Sequence, residues 1–112
     1  MAGSVIQTDA RIGSHAIINT SASIDHDCVV GSYAHIAPGA VLTGNITVEN
    51  GSFIGAGTVV IPGKRIGEWA TVGAGATVVR DIPKYCTAVG TPAKVISFYT
   101  LGDETNVTRN HA

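Results

Sequence analysis

The amino-acid sequence predicts an all-β fold in which short strands and tight turns stack into successive coils. Three observations support this prediction. An aliphatic residue recurs at every sixth position, a small residue usually follows four positions later, and 14 of the 112 residues are glycine. An amphipathic helix would instead need apolar residues spaced three and four apart, and this chain lacks that spacing.

The aliphatic column runs from Ile6 to Val78 without a gap. Ile, Leu and Val make up 27 of the 112 residues, so thirteen matches in thirteen positions would arise by chance with a probability of about 10⁻⁷ over six phases. The repeat therefore predicts one inward-facing aliphatic residue per short strand. The column consists of Ile6, Ile12, Ile18, Ile24, Val30, Ile36, Leu42, Val48, Ile54, Val60, Ile66, Val72 and Val78.

A second column of mostly small residues lies four positions after the first. Gly, Asn or Asp often comes directly after the aliphatic residue, which is typical of a tight turn. One bulky and one small residue in every six therefore describe a short strand followed by a turn. The second column consists of Ala10, Ala16, Ala22, Cys28, Ala34, Ala40, Ile46, Ser52, Thr58, Lys64, Ala70, Ala76 and Ile82.

Composition and charge argue against several classes of function. Seven Lys and Arg against eight Asp and Glu give a net charge of -1, so we expect no nucleic-acid binding. The apolar runs are far shorter than the ~20 residues that span a bilayer, so we expect no membrane insertion. Two cysteines cannot form a disulfide framework and no signal peptide opens the chain, which favours a cytoplasmic location.

Over residues 6–83 the chain resembles the hexapeptide-repeat acyltransferases, whose motif combines an aliphatic residue, a turn former and a small residue. In that family three hexads form one coil of a left-handed parallel β-helix, so the resemblance implies about four coils. Residues 89–95 resemble the family's terminal segment, which implies a C-terminal cap. We therefore predict a β-helix acetyltransferase domain with its cap over residues 1–96 and a polar tail over residues 97–112.

A more specific resemblance covers residues 19–45. They are similar to the catalytic region of the acetyl-CoA-dependent acetyltransferases that act on amino-sugar nucleotides or sialic acid. In that branch the histidine matching His26 is the general base, the acidic residue matching Asp27 helps orient its ring, and the glycine matching Gly44 offers its N–H to the thioester oxygen. The spacing supports this independently, because Gly44 follows His26 by three hexads and should stack one coil above it.

The same resemblance implies acetyl-CoA as the co-substrate, contacted by His35 and by the backbone at Ala56 and Ala74. Pro38, Ala56 and Ala74 are spaced three hexads apart, so they are predicted to form an outward column of small residues that accommodates the pantetheine arm. Asn19, at the start of the matching stretch, is predicted to contact the acceptor. That acceptor is expected to be a sugar or a sugar nucleotide.

These residues predict direct transfer of acetyl from acetyl-CoA to an amine or hydroxyl of the acceptor, with His26 as the base. Cys28 is the competing nucleophile, but it lies in the small inward column, where a thiol acts as a buried hydrophobe. His26 and His35 are half a coil apart and therefore lie on different sides of one prism. A shared site then requires neighbouring chains, and the family's number implies a homotrimer.

Two other functions stay open. A zinc enzyme of the carbonic-anhydrase type would need a close pair of histidines, and the spacing of His15, His26 and His35 does not supply one, so no metal is expected. A non-catalytic trimeric scaffold is the second alternative. Members of the resembling branch usually carry an N-terminal acceptor-binding domain, whereas this chain begins with the repeat. It is therefore a fragment, a single-domain relative, or a protein that kept the site and lost its substrate.

Overall fold

The computed structural model describes the backbone of Val5–Ile6 and residues 10–98. In this part of the chain thirteen strands of two residues precede two longer strands, and each short strand ends at the predicted aliphatic residue. The strands are β1 Val5–Ile6, β2 Arg11–Ile12, β3 Ile17–Ile18, β4 Ser23–Ile24, β5 Val29–Val30, β6 His35–Ile36, β7 Val41–Leu42, β8 Thr47–Val48, β9 Phe53–Ile54, β10 Val59–Val60, β11 Arg65–Ile66, β12 Thr71–Val72, β13 Thr77–Val78, β14 Cys86–Val89 and β15 Lys94–Phe98.

The short strands assemble into three parallel sheets that form the sides of a prism. The first sheet has the order β1-β4-β7-β10-β13, the second β11-β8-β5-β2, and the third β15-β14-β12-β9-β6-β3. Successive short strands of one sheet pair three hexads apart, as in the pairs Ile24 with Leu42 and Ile36 with Ile54. The result is an all-β solenoid of about four coils, which is consistent with the predicted left-handed β-helix.

The core is the predicted aliphatic column, which the alternation of strand residues turns inward. From Ile18 to Val78 every member is at most 1% exposed. Most of the small column is buried beside it, and its two hydroxyl side chains are satisfied by the next coil. Ser52 donates to the carbonyl of Gly67 at 2.7 Å and Thr58 to the carbonyl of Gly73 at 3.1 Å. The two buried hydroxyl groups of the small column are therefore both paired.

The predicted cap is a hairpin of β14 and β15 on the third sheet. Strand β14 pairs in parallel with β12, and β15 returns antiparallel to β14 with a register shift between Thr87 and Ala88. Ala93 and Val95 pack against the end of the core. Strand β15 continues to Phe98, two residues past the predicted boundary at 96, and the rest of the predicted tail lies outside the described residues.

Three corners connect the sheets, and each is defined here by its stacked residues. The base corner, between the first and second sheets, contains residues 26–27, 44–45 and 62–63. The groove corner, between the third and first sheets, contains residues 38–39, 56–57 and 74–75. The aromatic corner, between the second and third sheets, contains residues 14–15, 32–33, 50–51 and 68–69. No helix long and apolar enough to cross a bilayer occurs in the part of the chain that the structure describes.

Strand β5 offers a matched test of which residue of each hexad faces the core, because Val29 is 38% exposed and Val30 is 1% exposed. We expect Val30→Asp to abolish cooperative folding, since it removes buried apolar surface and places an unpaired charge in the core. Val29→Asp should change the free energy of unfolding by no more than about 1 kcal/mol. Circular dichroism during thermal unfolding measures both variants. Equal stability of the two variants would contradict the inward orientation of the aliphatic column.

Candidate active site

The base corner brings His26 directly against the backbone of Gly44. A Cβ added at Gly44 would lie 3.2 Å from Cε1 and 3.4 Å from Nε2 of His26. The imidazole therefore covers the glycine, which is buried, while the His26 side chain is itself 60% exposed. The predicted stacking of these two residues is confirmed, because both follow strands of the first sheet that pair in the three-hexad register.

Two aspartates hold His26 at this corner. The N–H of His26 donates to Oδ1 of Asp25 at 2.9 Å, which fixes the turn. Asp27 has a left-handed φ of 59°, and its Oδ2 lies 3.3 Å from Nδ1 of His26. An ionised carboxylate can only accept a hydrogen bond, so this contact places the imidazole proton on Nδ1. The lone pair of a neutral His26 is then on Nε2, which is nearer than Nδ1 to a Cβ placed on Gly44, at 3.4 Å against 3.8 Å.

The backbone N–H of Gly44 donates to no acceptor among the described residues. The groups around it are paired: the N–H of Asn45 donates to the carbonyl of His26 at 3.2 Å, and the carbonyl of Gly44 accepts from Gly63 at 3.0 Å. The base corner therefore combines a hydrogen-bonded backbone, one unused amide donor and one imidazole lone pair. This combination suits a reaction in which a proton is removed and an oxyanion forms.

Cys28 is buried, as predicted, and lies beneath this corner. Its thiol is 3.3 Å from the carbonyl oxygen of Thr43 and donates to it. Burial raises the pKa of the Cys28 thiol, and the nearby charges of Asp25 and Asp27 raise it further. A buried thiol with a raised pKa is a poor nucleophile.

A second cluster lies on the outer face of the third sheet, around His35. Nδ2 of Asn19 is 2.5 Å from Nε2 of His35. The ring of Phe53 meets the imidazole edge to face, with 5.0 Å between ring centroids. Neither contact was predicted from the sequence. The contact of His35 with Phe53 could have been predicted, because these two residues are three hexads apart in the sequence.

The groove corner has almost no side chains. Pro38, Ala56 and Ala74 are exposed, and the glycines that follow them have φ values of 70° to 74°. A Cβ added at Gly57 or Gly75 would meet nothing within 4 Å. The N–H groups of Ala56 and Ala74 donate to no acceptor among residues 10–98. This corner is therefore a bare strip of backbone with unused donors.

The comparisons with known proteins agree with this architecture. The family model described as bacterial transferase hexapeptide (six repeats) matches residues 9–44. The chain belongs to the hexapeptide-repeat family. No curated protein sequence gives a significant match.

Several solved structures of hexapeptide-repeat proteins are similar. The H141N mutant of perosamine N-acetyltransferase from Caulobacter crescentus, in complex with CoA and GDP-perosamine, is 46% identical with a TM-score of 0.85, over 87% of this chain and 46% of that one. The acetyltransferase domain of PglB from Neisseria gonorrhoeae, with acetyl coenzyme A, is 41% identical with a TM-score of 0.84, over 86% and 47%. WeeI from Acinetobacter baumannii is 32% identical with a TM-score of 0.71, over 85% and 56%. The chain thus spans about half the length of the structures it matches.

The hexapeptide-repeat prism keeps the two clusters on separate sides. The base corner follows strands of the first sheet, whereas His35 lies on the third sheet beside the groove corner. His15 belongs to the aromatic corner, where it stacks on Tyr33 with ring centroids 4.9 Å apart. Among the described residues no three His, Cys, Asp or Glu side chains form a group that could hold a metal ion. His111 lies outside those residues.

Proposed function

We propose that this chain transfers the acetyl group of acetyl-CoA to an amine or hydroxyl of a sugar or sugar nucleotide. The observation that carries the proposal is the imidazole of His26 packed on Gly44, whose N–H has no acceptor among the described residues. The similar Caulobacter enzyme is described as a perosamine N-acetyltransferase in complex with CoA and GDP-perosamine. That enzyme supports an amino-sugar nucleotide as the first acceptor to test.

In the proposed reaction Nε2 of His26 accepts a proton from the acceptor amine or hydroxyl as that group attacks the thioester carbonyl. The N–H of Gly44 donates to the oxyanion that develops on the carbonyl oxygen. When the carbon–sulfur bond breaks, protonated His26 returns the proton to the departing thiolate of coenzyme A. A positioned base and an oxyanion donor each contribute about 10² or more to the rate.

Asp27 is proposed to set the protonation of His26. Its contact with Nδ1 favours the tautomer with the lone pair on Nε2, and it stabilises the imidazolium after proton transfer. Both side chains are more than half exposed, so the ion pair contributes little to folding. Its proposed role is orientation.

The groove corner is proposed to bind acetyl-CoA. The pantetheine arm of acetyl-CoA is extended and contains amide carbonyls, which are acceptors for the unused N–H groups of Ala56 and Ala74. The open space at Gly57 and Gly75 leaves room for that arm along the backbone. His35 stands beside this strip and is proposed to contact the coenzyme.

The active assembly is proposed to be a homotrimer with sites between chains. In one chain the groove corner precedes the strands of the first sheet and the base corner follows them, so the two corners lie at opposite ends of these strands. One chain therefore does not bring both corners to one acetyl group. The base corner of one chain must then meet the groove corner of the next. Such a head-to-tail contact has to close into a ring. Val59, on the first sheet between these two corners, is 36% exposed in the single chain, and the proposed contact would cover it.

We expect His26→Ala to lower kcat by about 10² or more while acetyl-CoA binding is retained, because only the proton acceptor is lost. His15→Ala is the matched control, since His15 is exposed on the aromatic corner. Release of the coenzyme A thiol with GDP-perosamine as acceptor measures turnover, and calorimetry measures binding. Full turnover by the His26 variant would refute its role. A wild-type protein that binds no acetyl-CoA would favour the scaffold alternative.

Sharing of sites between chains has its own test. At low acetyl-CoA, His26→Ala alone should keep about 1% and His35→Ala alone about 10% of the wild-type rate, whereas trimers re-formed from an equal mixture should reach about one quarter of it. Half of the chains in the mixture have an intact His26 and the other half an intact His35. About one quarter of the head-to-tail contacts therefore join an intact base corner to an intact groove corner. Sedimentation equilibrium checks that the mass is three times 11.4 kDa. An active monomer, or a mixture with no recovery, would contradict shared sites.

A further inference from the structure

Asn19 is in contact with His35. The two residues lie on neighbouring strands of the third sheet: Asn19 directly follows β3, His35 opens β6, and Ile17 is the backbone partner of His35. Side chains alternate along a strand, so Asn19 and His35 share the outer face as diagonal neighbours. Their side chains meet at 2.5 Å between Nδ2 and Nε2.

The chemistry of this contact fixes the tautomer of His35. The amide nitrogen of asparagine has two N–H donors and no lone pair to accept a hydrogen bond. With the amide nitrogen facing the ring, as in this structure, Nε2 of His35 is the acceptor and the proton of the neutral ring is on Nδ1. No described residue hydrogen-bonds Nδ1, and the edge contact with Phe53 limits rotation of the ring. His35 therefore has one satisfied acceptor and one unused donor.

We propose that Asn19 is a positioning residue that locks His35 in the Nδ1–H tautomer, so that Nδ1–H donates to a carbonyl oxygen of acetyl-CoA. The proposal rests on the proposed function. The thioester and the pantetheine amides of acetyl-CoA present carbonyl oxygens, which accept hydrogen bonds. A histidine that contacts them must supply an N–H, and Asn19 selects which nitrogen does so. Asn19 thus acts through His35 on the coenzyme.

Nitrogen-15 NMR of the full chain tests the tautomer at a pH where His35 is neutral. Long-range proton–nitrogen correlations distinguish Nδ1–H from Nε2–H in each ring. We expect Nδ1–H in the wild type and a reversal to Nε2–H in Asn19→Asp, because a carboxylate can only accept. Asn19→Ala should give a mixture. A purely structural role for Asn19 predicts no reversal.

Asn50→Ala is the matched control. Asn50 also makes one side-chain hydrogen bond, accepting the N–H of Ser32 at 2.8 Å, but on the aromatic corner. We expect this variant to keep the Nδ1–H tautomer of His35, and thermal unfolding checks that every variant is folded. Nε2–H in the wild type, or an unchanged tautomer in folded Asn19→Asp, would overturn the proposal.

Calorimetry with acetyl-CoA tests the consequence for binding. Loss of one neutral hydrogen bond should weaken binding about tenfold in Asn19→Ala and in His35→Ala. The double variant should be no weaker than His35→Ala alone, because Asn19 acts through His35. Additive losses, or unchanged binding in Asn19→Ala, would overturn the proposal for Asn19 alone. A wild-type protein that binds no acetyl-CoA would instead contradict the proposed function.

Discussion

The backbone hydrogen bonds between successive coils are the interaction on which the rest of the molecule depends. Among the thirteen short strands they pair residues in one register of three hexads, as in the pair of Ile24 with Leu42, beside which the N–H of Asp25 donates to the carbonyl of Leu42 at 2.9 Å. This register stacks aliphatic residues into a continuous core and also sets His26 on Gly44. A change in the length of one coil would displace both the stacked aliphatic residues and the contact of His26 with Gly44. The core and the site therefore depend on the same register.

The narrowness of the prism links the fold to the proposed chemistry. Tight corners require residues with positive φ, and glycine adopts this conformation without a steric penalty. At Gly57 and Gly75 the same choice leaves the backbone open to a ligand. At Gly44 the missing side chain makes room for the ring of His26. Small residues that the coil needs for closure therefore also produce a bare surface with unused N–H donors.

The sequence allowed most of the fold to be predicted, because the sixfold period is strictly local and each of the thirteen short strands ends where it indicates. Stacking by three hexads likewise predicted the contact of His26 with Gly44. The contact between Asn19 and His35 joins residues that are not in this register, and it depends on side-chain reach, which no period encodes. The extent of β15 could not be predicted from the sequence, because an antiparallel hairpin does not follow the repeat.

In the proposed trimer, Gly44 and His26 form one half of a site whose other half is the groove corner of a second chain. A crystal structure with acetyl-CoA bound tests it most directly, through the distance from the thioester oxygen to the N atom of Gly44. We predict about 2.7–3.1 Å, with the pantetheine arm along Ala56 and Ala74 of the neighbouring chain. A thioester oxygen far from Gly44, or a coenzyme held along one chain alone, would contradict a site shared between chains.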